Sequence, residues 1–231
     1  MPTIRKSVFA IAAALLPFTA ASAQVQLTAE QQKRAQDMFQ EHKAMQMAIR
    51  THLKCQTLDS LTQTAAQVTS DMHQKALINM KAVTAAQLAG HDTGLQTSID
   101  KETCDSLKAN ANIGIANERA IFYKDFYLYV WHEYREVAAT RIILSSGSGS
   151  NGSLFDDSKF ACAGYSYDQI AKIKPLSDAA WQVMKTKGQF SNARAQAENV
   201  IEACQKNLDE VKKSPAIQML EAGFKALEVK D

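Results

Sequence analysis

The sequence predicts an all-α protein, a disulfide-stapled helical bundle with one long aromatic-rich central helix. Three observations predict it. Apolar residues recur at three- and four-residue steps through almost every long segment, and no convincing alternating run of the kind a half-buried strand needs is present. Only four prolines occur in 231 residues, so long helices meet few obligatory breaks. Four cysteines, Cys55, Cys104, Cys162 and Cys204, lie far apart, and a Gly/Ser-rich segment from Ser145 to Ser153 divides them two and two.

The chain opens on a leader pattern. Arg5 and Lys6 precede an apolar run from Val8 to Leu16, followed by Pro17 and Ala21-Ser22-Ala23. A basic start, a short apolar stretch and a small-x-small site predict a secretory signal over residues 1–23, cleaved after Ala23, and hence a periplasmic protein. The run is too short to span a bilayer, which needs about 20 apolar residues. Without Arg5 and Lys6, the 26 Lys+Arg fall to 24 against 24 Asp+Glu, a formal charge of zero. That balance argues against a nucleic-acid binder, because neutralising phosphates needs a cationic surplus. In an oxidising compartment four cysteines read as disulfides, and pairing within each half gives Cys55–Cys104 and Cys162–Cys204. The absence of a Cys-x-x-Cys motif removes thioredoxin-like chemistry.

The elements follow in order. Thr28-Ala29-Glu30-Gln31 has the form of a capping box, and behind it Ala35, Met38, Met45, Ile49 and Leu53 mark an amphipathic helix to about Cys55. A second helix carries Leu58, Leu61, Ala65, Val68, Met72, Ala76 and Val83, and Gly90-His91-Asp92-Thr93-Gly94 is expected to end it as a loop. A shorter helix holds Ile99, Thr103 and Leu107, with a break or kink at Asn110 to Gly114. The stretch from Ile115 to Leu144 completes an N-terminal helical region over residues 24–144. A Gly/Ser-rich loop or linker spans 145–158, and a C-terminal helical region spans 159–231. There, Ser166-Tyr167-Asp168-Gln169 resembles a second capping box. That helix is expected to stop before Pro175, another to run from about Ser177 to Lys187, and a longer one to reach Val211. Ser214-Pro215 starts the last.

Seven of the 17 aromatic residues fall between Phe122 and Tyr134. They point in nearly every direction around a helix, which predicts a bundle's wrapped centre. The other reading is a contact surface for a partner, with Tyr129, Trp131 and Tyr134 as its residues. Glu118, Asp125, His132 and Glu136 align along one stripe of that helix, and such a stripe is ordinarily the solvated side. No second Glu-x-x-His and no His-Glu-x-x-His motif supports a metal enzyme there. Met38, His42, Met45, Met47 and His52, with Met72, His73 and Met80, have the side chains of a copper carrier; Met38 and Met45 also occupy the stripe a core requires.

Phe160-Ala161-Cys162, the helical residues up to Val200-Ile201-Glu202-Ala203-Cys204 and the basic helical tail resemble the HdeA-type periplasmic acid-stress chaperones, which are all-helical with one disulfide at comparable spacing. The likeness covers only the segment from Phe160 onward. No phosphate-binding glycine loop or nucleophile elbow is present. The expected function is therefore that of an exported, non-catalytic helical binding protein of the bacterial envelope, without a cofactor and with another envelope protein as partner. A stress chaperone is the alternative, and a carrier with copper on Met38, His42, Met45, His132 or Glu136 comes third.

Overall fold

The computed structural model describes residues 27–145, 165–187 and 208–228, together with Glu202 and Lys206. The predicted signal, most of the Gly/Ser segment, and Cys162 and Cys204 lie outside the described residues. All described regular structure is helical: α1 (Ala29–Cys55), α2 (Ser60–Asn79), α3 (Ala85–Asp100), α4 (Cys104–Lys108), α5 (Ala111–Ser145), α6 (Tyr167–Lys187), α7 (Leu208–Val211) and α8 (Pro215–Glu228). The all-α class is as predicted.

Local chemistry sets most boundaries. Thr28 and Gln31 form the expected capping box, and Ser166 and Gln169 exchange the same pair of hydrogen bonds. Asp59 caps α2, accepting from the Thr62 amide at 2.9 Å and the Thr62 hydroxyl at 2.7 Å. At the opening of α8, the Gln218 amide donates to the Ser214 carbonyl at 2.9 Å, and Pro215 takes the first helical position.

Five boundaries depart from the sequence reading. The second helix ends at Asn79, not beyond Val83. Lys81 turns left-handed, with φ 55°, so that its amide meets the Ile78 carbonyl and the Ala82 amide meets the Leu77 carbonyl. That pair of bonds is a Schellman stop. Gly90 to Gly94 is no loop: both glycines sit inside α3, which Thr84 opens with a capping box to Gln87. The expected helix through Ile99, Thr103 and Leu107 divides, because Thr103 caps α4 by accepting from the Ser106 amide. Lys54 Nζ meanwhile donates to the carbonyls of Ile99, Asp100 and Glu102, satisfying the exposed end of α3. The break at Asn110 to Gly114 shrinks to Asn110, whose side-chain oxygen accepts from the Asn112 amide, and Gly114 is helical.

Pro175 does not stop its helix either: α6 runs through it to Lys187. Ile170, Ile173, Ser177, Ala180 and Met184 form one buried face that continues across the proline, while Pro175 stands on the exposed side. Burial on one face offsets an interior proline's cost of about 3 kcal/mol, and water solvates the carbonyl left without a donor.

The long helix is central, as expected. At 35 residues, α5 is about 50 Å long. Its first turns bury Ile113, Ala116 and Ala120 against Met45, Ala48 and Ile49 of α1, with Ile99 of α3 and Leu107 of α4. Its middle buries Tyr127 with Leu61 and Ala65 of α2 and Met219 of α8. Beyond that, Leu128, Trp131 and Tyr134 pack with Ile170, Ile173 and Ala180 of α6 and Ile217, Leu220 and Phe224 of α8. Gly223 of α8 lies close against α2, since a Cβ there would lie 2.7 Å from Leu61 Cδ2. The predicted Cys55–Cys104 disulfide is present and ties the end of α1 to the start of α4.

Candidate functional site

The contact surface expected on α5 is largely interior. Trp131 and Tyr134 are 1% and 3% exposed and belong to the core, so neither is available on this face to a partner. Burial pushes the Tyr134 hydroxyl up to about 12. Tyr129 is half-buried, and Glu133, one turn on, accepts a hydrogen bond from its hydroxyl. Of the three, Tyr129 alone reaches the surface.

The charged stripe on α5 also divides. Glu118 is exposed and Asp125 half-buried, as a solvated stripe requires, but His132 is buried. Its ring stacks on Trp181 of α6 at 5.0 Å, and its Nε2 lies 3.4 Å from Asp178. The Trp181 indole N–H donates to Glu133 at 3.0 Å, while Asp178 also takes Arg135 and Lys174. Burial, with the Arg135 charge adding to it, lowers the His132 pKa to about 4; Asp178 opposes this and Lys174 reinforces it. The solvated reading fails here because α6 covers this end of the stripe. The side chain of Glu136 lies outside the described residues.

The Met/His set is not gathered into one site. Met45 and Met47 sit in the core beside α5. Met38 packs in a separate cluster with Leu77, Val83 and Leu88, against which Met80 also packs. His52 Nδ1 accepts from the Leu58 amide at 2.9 Å and so secures the α1–α2 turn. Met72 Sδ accepts from the Tyr127 hydroxyl at 3.8 Å, and the His73 ring meets Tyr123 edge-on. Burial, followed by the proximity of His42, lowers the His73 pKa to about 4.

Reading the sequence missed the polar arrangement around His42. This histidine is fully buried, as are Ser70 and Thr69 of α2. Its Nδ1 lies 3.0 Å from the Ser70 hydroxyl and its Nε2 3.3 Å from Asp92 of α3. Gln46, one turn along α1, donates to the same hydroxyl at 2.8 Å. A Ser–His–Asp sequence of contacts resembles a nucleophile's activation chain, yet a reactive serine must meet its substrate. Ser70 meets none, because it is sealed between α1 and α2 with its oxygen occupied by Gln46. The arrangement fastens three helices. The only signal for it was His42 standing on a stripe that otherwise reads as core.

Among the described residues no helix is long and apolar enough to cross a membrane. Comparison of the chain with family models, with curated proteins and with solved structures finds no match in any of the three.

Proposed function

We propose that this chain is an exported, non-catalytic helical protein that acts by binding another protein of the bacterial envelope. One observation carries the reading. Leu53 near the end of α1 and Ile115 near the start of α5 are 66% and 51% exposed. The two helices run antiparallel, Glu41 meeting Arg119 while Ile49 and Cys55 share a cluster with Ile113, so both residues belong to the same end of the pair. Scattered aliphatics are ordinary on a surface. Both are exposed aliphatics at that end, and Leu53 lies two residues from Cys55, which the disulfide fixes to α4, so an anchor held there loses little freedom on binding. Export is supported by the leader pattern and by that disulfide, which suits an oxidising compartment.

Affinity capture from envelope extracts tests this. Wild-type protein should retain a partner that a Leu53→Glu, Ile115→Glu double variant releases, since exposed substitutions leave stability within about 0.5 kcal/mol. Capture that survives in a folded double variant counts against the proposal.

A second reading, an acid-stress chaperone, is favoured by His132. An imidazole that resists protonation until about pH 4 holds α5 against α6 at neutral pH and destabilises the pair when it charges. Suppression of a client's aggregation in acid but not at neutral pH is the expected behaviour, and equal suppression at both would remove the basis for it.

A further inference from the structure

We propose that α3 is a hinged strap that swings off α1 as a unit while the other helices stay packed, uncovering a surface that includes His42. Its burial is slight. Only Leu88 and Ile99 of its 16 residues are buried, one near each end, and Leu95 is half-buried. By contrast, every residue of α1 from Met45 to Ile49 is buried, in a core that Ala66 of α2 and Ile113, Ala116 and Ala120 of α5 complete. The helix is also weak in itself. It contains Gly90 and Gly94, and glycine is the least favourable interior residue after proline. The hydroxyls of Thr93, Thr97 and Ser98 turn back to donate to the carbonyls of Ala89, Thr93 and Gly94, at 2.8, 2.9 and 3.0 Å. Such bonds compete with the backbone ladder and slightly destabilise a helix.

Between its two buried ends the strap is fastened by polar contacts. Asp92 Oδ1 lies 3.3 Å from His42 Nε2 and 3.2 Å from His91 Nδ1, and Gln96 accepts from Arg50 Nη1 at 2.7 Å. The His91 ring meets Phe39 edge-on at 5.2 Å. At the far end Lys54 Nζ holds the carbonyls of Ile99 and Asp100. Water replaces most of what such contacts give once the groups are exposed, so opening forfeits little beyond the burial of Leu88 and Ile99. A hinge stands at each end. Before α3, Lys81 is left-handed, while Ala82 and Val83 are buried beside Leu77. After it, Thr103 caps α4, whose Cys104 is bonded to Cys55 and whose Leu107 is buried beside Ile113. The strap is therefore a loop tied at both ends, and its opening leaves α4 and the disulfide in place. It uncovers His42 Nε2 and the two apolar clusters that Leu88 and Ile99 close, the first with Leu77 and Val83 and the second with Ile49. This motion stands independently of the binding role proposed above.

Hydrogen exchange of the full chain, followed amide by amide by NMR at low urea, tests the strap. Amides from Leu88 to Asp100 should exchange through one common opening, about tenfold or more faster than those in the buried parts of α1 and α5. Their urea dependence should be weaker, because the opening exposes less surface than global unfolding. Asp92→Ala and Gln96→Ala, which each remove one polar fastening, should speed exchange in α3 about tenfold. Ile217→Val trims the separate core of α5, α6 and α8, and should speed exchange in α5 about fivefold while leaving α3 unchanged. The imidazole of His42 should react with diethyl pyrocarbonate at the pace of α3 opening, and faster in Asp92→Ala. The proposal is overturned if α3 and α1 share one rate and one urea dependence, or if Ile217→Val accelerates α3 and α5 alike. It is equally overturned if His42 stays unreactive while α3 exchanges.

Discussion

Acidification from neutral pH toward pH 4 should destabilise this protein through His132. An imidazole titrates near 6.5 when unfolded, and burial against Trp181 lowers His132 to about 4 in the folded chain. Between those values the unfolded state binds a proton that the folded state refuses. Stability is therefore full above about pH 6.5, falls as the pH drops toward 4, and levels off below. The interval of about 2.5 units at 1.36 kcal/mol each sets a ceiling near 3.4 kcal/mol. The neighbouring Asp178 is 40% exposed, so water screens the cluster and roughly half of that ceiling, about 1.5 kcal/mol, is the realistic share. His73, lowered first by burial, acts in the same direction. Burial raises Asp59 and Asp178, but hydrogen bonds from Thr62 in the first case and from Lys174 and Arg135 in the second outweigh it. Both carboxylates end below 3.8, so their contribution is lost only under more acidic conditions and does not overlap the histidine window. Urea unfolding followed by tryptophan fluorescence at intervals through that window measures the slope. His132→Phe keeps an aromatic ring over Trp181 and should flatten it by about 1.5 kcal/mol. An undiminished slope in that variant would refute the assignment.

Other outcomes are equally specific. Trp131→Ala should cost about 3–5 kcal/mol in denaturant melts and Tyr129→Ala less than about 2, because the first side chain is 1% exposed and the second half-buried; equal, large losses would show the whole helix to be interior. Gly94→Ala should stabilise by about 0.5–1 kcal/mol, as a Cβ there meets nothing within 4 Å, whereas Gly223→Ala should destabilise by about 1–2 kcal/mol against Leu61; thermal melts of the two with the same sign would contradict the packing. Replacing both Cys55 and Cys104 by alanine should remove up to about 4 kcal/mol, the chain-entropy value for a loop of 49 residues, and non-reducing peptide mapping should recover the linked pair.

The class, the central helix and the first disulfide were legible because each is written locally. A Thr or Ser followed three residues later by Gln opens α1 and α6 in the sequence as in the structure. The same signature at Thr84 and Gln87 was passed over, because two glycines a turn apart looked like stronger punctuation. A helical glycine costs about 1 kcal/mol, and burial of Leu88 and Ile99 at 1% and 4% exposure exceeds that for the pair. Pro175 misled in the same way. Its ring removes one hydrogen bond on the wet side, while the buried face from Ile170 to Met184 spans it.

The polar interior was illegible for a different reason. His42 stands on a helix whose spacing with Met38 and Met45, four residues one way and three the other, brings all three to one side. That spacing suggests shared ligands when the sequence is read alone. In the fold it means only that the three side chains turn inward together, and the packing then distributes them: Met38 toward Leu77 and Leu88, Met45 toward α5, and His42 toward Ser70 and Asp92. The partners of His42 come from two other helices, and nothing in the local sequence around any of the three announces the meeting. Standing between Ser70 of α2 and Asp92 of α3, His42 ties its own helix to both of the others.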